Sequence, residues 1–181
     1  ARIFRFEDAP LDEAFFRARF ESALALRKEV GLWQPEAGCR WIFGEGDGLP
    51  GLVVDRYASA LVVQVGTAGL EALRETWWPI LFEIGKREGL TAFVERSQAG
   101  RKEEGLDPVN RLLKGSLAGP VTVYEGKPRL TVDLLRGQDV IALLRREDAV
   151  TNQQFTKVQA RHGPRPLVAH RCGVLERRHL R

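Results

Sequence analysis

The stretch that most restricts how this chain can fold is GEGDGLPG, Gly44–Gly51, which has apolar runs directly on both sides. Four glycines and a proline in eight residues cannot sit inside a helix or a strand, so the chain must turn there. Arg40–Gly44 before it and Leu52–Tyr57 after it read as strands. Ala60–Val65 reads as a third, joined to the second by a connection short enough for a hairpin. The turn contains GxGxG, but a phosphate-cradling loop needs its glycines between a strand and a helix N-terminus. Here a strand follows, so a dinucleotide loop is excluded on context. Gly48 and Gly51 instead read as positions of positive φ, with Pro50 fixing the backbone between them.

Around this sheet signal the periodicity changes. Arg2–Phe6 alternates polar and apolar residues and reads as a short strand. From Leu11 to Val30, Phe15, Phe16, Phe20, Ala23, Leu24 and Leu26 recur at helical spacing, with Asp12 as N-cap and Gly31 as terminator. A second helix is expected from Thr67 to about Arg87, with Pro79 breaking or kinking it near Trp77–Trp78. The Trp pair could stack on bases, but at this spacing one Trp ordinarily faces the core. Leu90–Arg96 reads as a strand and Ser97–Leu106 as a charged loop. Val121–Glu125 and Arg129–Leu135 flank Gly126-Lys127-Pro128 as a second hairpin. The expected fold is α+β: a mixed, largely antiparallel sheet with two main helices on one face, followed by a weakly structured basic C-terminal segment.

Charge places that segment. Residues 1–136 hold 19 Lys+Arg and 20 Asp+Glu, and the remaining 45 hold 9 and 4, so the overall +4 is −1 plus +5. All three histidines lie in the basic part. Asp139–Arg146 could open a helix there, whereas Arg161–Arg181 has no clear period. Arginine outnumbers lysine 22 to 6, which reads as a GC-rich codon preference. Two cysteines and no CxxC exclude a disulfide scaffold or a zinc ribbon and point to a reducing compartment. No apolar run approaches the roughly 18–20 residues that span a bilayer, and Ala1–Pro10 is no signal peptide. A soluble cytoplasmic protein with no membrane partner is expected.

Few residues carry chemistry by pattern. Cys39 opens a strand far from any His, and Cys172 lies near His170 and His179 without an oriented base. His162, His170 and His179 lack metal-ligand spacing, so no metal, catalytic or cofactor-binding residue is assigned. Glu45, Asp47 and Asp55 could form an acid/base cluster, but carboxylates beside a tight turn more often cap backbone amides. Arg96, Ser97, Arg101 and Lys102 are the candidates for contact with nucleic-acid phosphates, diluted by Glu103 and Glu104.

Three ordered segments resemble a known family. They are WIFGEGDGLPGLVVDRY (41–57) running on to Leu61–Gln64, then Val94–Ser97 with Arg101 and Glu104–Leu106, and LTVDLLRGQ (130–138). Together they resemble the central domain of the class I S-adenosylmethionine-dependent 23S rRNA (cytosine-5) methyltransferases. The resemblance implies a central α/β domain over 1–137 and a divergent basic segment over 138–181, of the kind a frameshift or truncation would leave. It implies that the PUA-like and Rossmann-like catalytic domains are lacking, along with the cofactor loop and the catalytic Cys motif.

The implied function is that of a truncated homologue or fragment that positions rRNA and supports the missing catalytic domain. It would be inactive alone and bind no cofactor itself, S-adenosylmethionine belonging to the intact enzymes. The alternative is a stand-alone, non-catalytic RNA-binding or protein-interaction module with an electrostatic tail. Strand edges left by absent domains favour a homodimer.

Overall fold

In the computed structural model, the described residues are 2–6, 8–98, 100–124 and 129–135, with the backbone of 142–143. All of them fall in one unit, Ala1–Arg145. The segment 138–181, apart from those two residues, and the turn at 126–128 lie outside the described residues.

Helix α1 spans Glu13–Glu29, and the Asp12 carboxylate accepts the Phe15 N–H at 2.9 Å, as the cap position requires. It ends in paired bonds, Gly31 N–H to the Lys28 carbonyl and Leu32 N–H to that of Arg27, which satisfy carbonyls of the last turn. Phe16, Phe20, Ala23 and Leu24 form its buried stripe. Fully burying a side chain such as Phe16 or Phe20 contributes roughly 2–3 kcal/mol.

The main sheet contains β1 (Gly38–Phe43), β2 (Leu52–Tyr57), β3 (Ala60–Val65), β4 (Ala92–Ser97) and β5 (Val109–Lys114), in that spatial order. Only β3 and β4 pair in parallel, and the other neighbours are antiparallel. The register slips between Arg40 and Ile42, a bulge that buries the consecutive residues Trp41 and Ile42 together. Trp41 then donates its indole N–H to the Phe20 carbonyl at 3.2 Å.

The crossover from β3 to β4 is α2 (Ala68–Ala72) and α3 (Arg74–Arg87). The break expected at Pro79 falls instead at Leu73, and α3 runs through Pro79. Pro79 and Glu75, whose carbonyl loses its helical partner, are both exposed, so solvent can take that carbonyl. Trp77 is fully buried and donates to the Leu70 carbonyl, while Trp78 is half-buried against Phe82.

The sheet is covered on both faces. Leu61, Val63, Val65 and Phe93 face the helices with Phe16, Leu24, Trp77 and Leu81. Ala60, Val62, Ala92 and Val94 face a second core with Val123, Val132 and Leu134. That second layer is a small antiparallel sheet of β6 (Val121–Tyr124), β7 (Arg129–Val132) and β8 (Ala142–Leu143). Burial on both faces explains the almost uninterrupted apolar run of β3.

Three expectations are corrected. Arg2–Phe6 forms no strand: Phe4 packs on the main core, but Ile3 and Phe6 are 62% and 93% exposed, so the alternation does not define a buried face. Strand β5 lay unrecognised within the charged and polar stretch after β4, because an edge strand with mostly exposed residues carries no alternation. Within Asp139–Arg146, where a helix was expected, Ala142–Leu143 pairs with β7 as strand β8.

Candidate functional site

Two of the segments singled out above converge at the C-terminal end of β3 and β4. Gly44, Glu45 and Gly51 of the glycine-rich turn, Val65 and Gly66 after β3, and Ser97, Gln98 and Gly100 after β4 line a cleft of about 270 Å³, with Arg2 at its rim. The turn packs against the crossover at one point that only glycine allows. Gly51 has φ +84°, and a Cβ there would lie 2.3 Å from Thr67 Cγ2. The Gly51 carbonyl also accepts the Gly66 N–H at 2.9 Å, tying turn to strand end.

Under the cleft lies a buried ionic network. Glu95, with no exposed surface, accepts two bonds from Arg74 at 2.6 and 3.1 Å, and a third from Arg111 at 3.3 Å. Arg74 reaches back to both oxygens of Glu71, and Glu71 also receives Arg101 at 3.0 Å. The Arg74 and Arg101 guanidiniums hold the Glu71 carboxyl below the usual carboxylate range. Ser97 donates to Glu95 at 3.1 Å and accepts the Val65 N–H at 2.8 Å. The β3 and β4 ends are therefore bolted together by side chains.

The four residues expected at phosphates are placed as follows. Ser97 and Arg101 are buried, Arg96 is half-buried, and Lys102 is exposed in the short 3-10 turn Lys102–Glu104. Arg101 donates to the carbonyls of Val65 and Asp107 as well as to Glu71, so its fork faces inward and holds the loop closed. The carboxylates read as possible acid/base groups are paired. Asp47 takes both Arg27 nitrogens at 2.6 and 2.7 Å and the Phe43 N–H at 2.7 Å. Asp55 takes Arg40, and Glu45 takes Arg2 at 2.8 Å. Burial raises the Cys39 thiol to about 11, which suppresses its thiolate. Cys172 and the three histidines lie outside the described residues, and no metal-ligating cluster occurs among the described residues. No helix described here is long and apolar enough to cross a membrane.

A parallel strand–helix–strand unit invites a cofactor at the strand-to-helix junction, here Val65–Ala68. Side chains of the domain already occupy part of that junction. Glu104 caps the Ala68 N–H at 3.1 Å, Arg101 takes the Val65 carbonyl and Ser97 the Val65 amide. These bonds occupy the Val65 amide and carbonyl and the Ala68 N–H, whereas the buried Thr67 hydroxyl has no hydrogen-bond partner among the described residues.

Sequence reasoning missed Glu71, Arg74 and Glu95 as the organising charges. The Glu71-x-x-Arg74 spacing is a recognisable helix pair, but nothing local signals that Glu95, across the crossover, completes it.

The chain is similar to proteins named ribosomal RNA large subunit methyltransferase I. It is 39% identical to that of Alteromonas mediterranea over 132 residues, 72% of this chain and 32% of the relative. It is 37% identical to that of Shewanella denitrificans over 139 residues, 75% of this chain and 34% of the relative. The Vibrio cholerae protein gives 36% over 139 residues. The chain thus spans about a third of the length of the curated relatives it matches. Two solved structures share the fold. One is a candidate SAM-dependent methyltransferase from Streptococcus mutans, with TM-score 0.64 and 16% identity over 78% of this chain and 35% of that one. The other is a candidate methyltransferase in complex with SAH, with TM-score 0.60 and 15% identity over 72% and 32%. No protein-family model matches.

Proposed function

We propose that residues 1–137 are the central domain of a SAM-dependent 23S rRNA (cytosine-5) methyltransferase, which positions RNA and supports a catalytic domain. The similarity to the large subunit methyltransferase I proteins carries this reading, since it covers about three quarters of this chain and about a third of each relative. The convergence of the glycine-rich turn and the Glu95–Ser97 segment on one cleft supports it, because the shared motifs are those that build the strand-end architecture. Lys102, exposed, and Arg96 are the residues proposed to meet phosphate, while Ser97 and Arg101 shape the loop that presents them. Residues 138–181 are proposed as a divergent basic segment.

By itself the chain binds no S-adenosylmethionine and transfers no methyl group in this reading. At the junction Val65–Ala68, Glu104 takes the Ala68 N–H and Arg101 the Val65 carbonyl. In the intact enzyme the cofactor supplies the methyl group, and the central domain holds the RNA against the domain that uses it. Isothermal titration of the 181-residue chain with S-adenosylmethionine tests this. No saturable heat is expected, and saturable binding would mean the cofactor site lies in this chain and the domain assignment is wrong.

A further inference from the structure

We propose that the cleft between the N-terminal segment and α1 is a single-stranded RNA site. In it, Arg19, aided by Arg5, takes a phosphate, and an apolar floor takes the adjoining base. The cleft is open to solvent, measures about 480 Å³ and is lined by Arg5, Ala9, Pro10, Asp12, Ala14, Phe15, Ala18 and Arg19. The site lies on a different part of the surface from the strand-end cleft, and none of its residues was among the candidates read from sequence.

Many of the domain's arginines are committed to carboxylates, and Arg56 to the backbone carbonyls of Pro35 and Ala58. Arg17, Arg27, Arg40, Arg74, Arg87 and Arg101 each pair with a carboxylate of this domain. Arg19 is exposed and pairs with none of the described carboxylates. It is nevertheless held in place, with its guanidinium carbon 5.3 Å from the Phe15 ring centre and close against Gly48 of the glycine-rich turn. A Cβ at Gly48, where φ is +69°, would lie 3.2 Å from that carbon, so glycine leaves the space the guanidinium fills. Arg5 stands over the same ring at 5.4 Å, with its Nη1 donating to the Pro10 carbonyl at 3.1 Å.

Among the described lining residues the one carboxylate is Asp12, and it is engaged with the Phe15 N–H. A pre-positioned guanidinium whose donors face solvent is an anion site whose ordering cost is already met. Beside it, the methyl and ring carbons of Ala9, Pro10, Ala14 and Ala18 give the lining an apolar surface. Nucleobases stack on such a surface, including on arginine planes. An acidic peptide would satisfy the charge but bring no ring to the floor. This inference rests on the reading that the domain's partner is RNA.

The test is fluorescence anisotropy of a fluorescein-labelled, mixed-sequence single-stranded RNA dodecamer with the full 181-residue chain, across a salt series. The variants are Arg19→Gln, Arg5→Gln, the double variant, and Arg17→Gln as control. Arg17 carries the same charge two residues away on the same helix but is paired with Glu83. Losing two phosphate contacts lowers the slope of log affinity against log salt by about 1.4, at about 0.7 per contact for single strands. We expect that drop, and about tenfold weaker binding at low salt, for the double variant, with Arg17→Gln like wild type. Equal loss in Arg17→Gln and Arg19→Gln would show a diffuse charge effect and overturn the site. Unchanged affinity in the double variant, with wild type binding, would overturn the site and leave the RNA reading standing. No binding by wild type would overturn both. Displacement of the RNA by polyglutamate as readily as by unlabelled RNA would assign the cleft to acidic peptides and overturn the RNA assignment. Unchanged near-ultraviolet circular dichroism shows that each variant is folded.

Discussion

Glu95 is the most informative residue to remove. Its carboxylate is fully buried and receives Arg74 twice, Arg111 once and the Ser97 hydroxyl. Breaking a buried pair by removing one partner costs about 3–5 kcal/mol, because the surviving charge is left in a poor solvent. Two features reduce that figure here. Arg74 keeps both Glu71 oxygens at 2.8 Å, and Arg111, whose side chain is 58% exposed, returns to water with little loss. We therefore expect Glu95→Gln to cost about 2–3 kcal/mol, and Glu95→Ala about 3–4 kcal/mol with its added cavity and orphaned Ser97 hydroxyl.

Urea unfolding followed by tryptophan fluorescence measures this directly. Trp77 and Trp78 lie 6.0 and 5.3 Å from the Arg74 guanidinium and report on the network itself. With m near 2 kcal/mol/M, the midpoint of Glu95→Gln drops by about 1–1.5 M at unchanged m. A double-mutant cycle with Arg74→Gln should return an interaction energy above about 1 kcal/mol. If Glu95→Ala unfolds within about 0.5 kcal/mol of wild type, the network is not what joins the β3 and β4 ends, and the account of the strand-end cleft fails with it.

Three other perturbations have defined outcomes. Gly51→Ala puts a methyl group into Thr67 at φ +84° and should destabilise by about 2–4 kcal/mol in the same urea assay, whereas an exposed glycine with open space such as Gly69 should tolerate alanine. Thr67→Val should raise stability by about 0.5–1 kcal/mol, because the buried Thr67 hydroxyl has no hydrogen-bond partner among the described residues and valine keeps the shape; a loss of stability would show that the hydroxyl is satisfied. In a Cys172→Ser background, Cys39 should react with a disulfide reagent at pH 8 about a hundredfold more slowly than in urea, since burial lifts its pKa from 9.0 to about 11. Between pH 9 and 11 only the unfolded chain's thiol ionises, so the unfolded state binds fewer protons and stability falls as pH rises, with the raised Tyr57 phenol extending the loss. A flat stability profile over that interval would contradict the burial of both groups.

What could be read from the sequence was whatever local pattern decides. Leu52–Tyr57 and Ala60–Val65 appear as the strands expected, because two apolar runs around a short connection have few alternatives. Helix α1 was legible from its stripe, its Asp12 cap and Gly31. The second layer was not, because nothing local tells a hairpin at Val121–Val132 that its partners are Ala60, Val62, Ala92 and Val94. The same holds for charge. Arg101 reads as a phosphate contact until Glu71, thirty residues back, and the Val65 carbonyl take its fork. Arg19 reads as part of a solvated helix face, and only the fold reveals that Phe15 and Gly48 hold it.

The excess of arginine over lysine, 22 to 6, gains a physical reason from these contacts. Read alone, it suggests codon preference. Yet Arg17–Glu83, Arg27–Asp47, Arg40–Asp55 and Arg87–Glu21 are each joined by two N–H···O bonds, the fork geometry that a lysine ammonium cannot reproduce. Arg74 goes further, serving Glu71 with Nε and Nη2 and Glu95 with Nη1 and Nη2, so one planar group links two carboxylates on different elements. A lysine there could reach one carboxylate at a time and would leave Glu95 underpaired at full burial. Much of the near-neutral balance of residues 1–136 is thus cations matched to carboxylates, and the net charge says little about affinity for a polyanion. Affinity depends on the cations left over and on whether the fold orients them, and Arg19 meets both conditions.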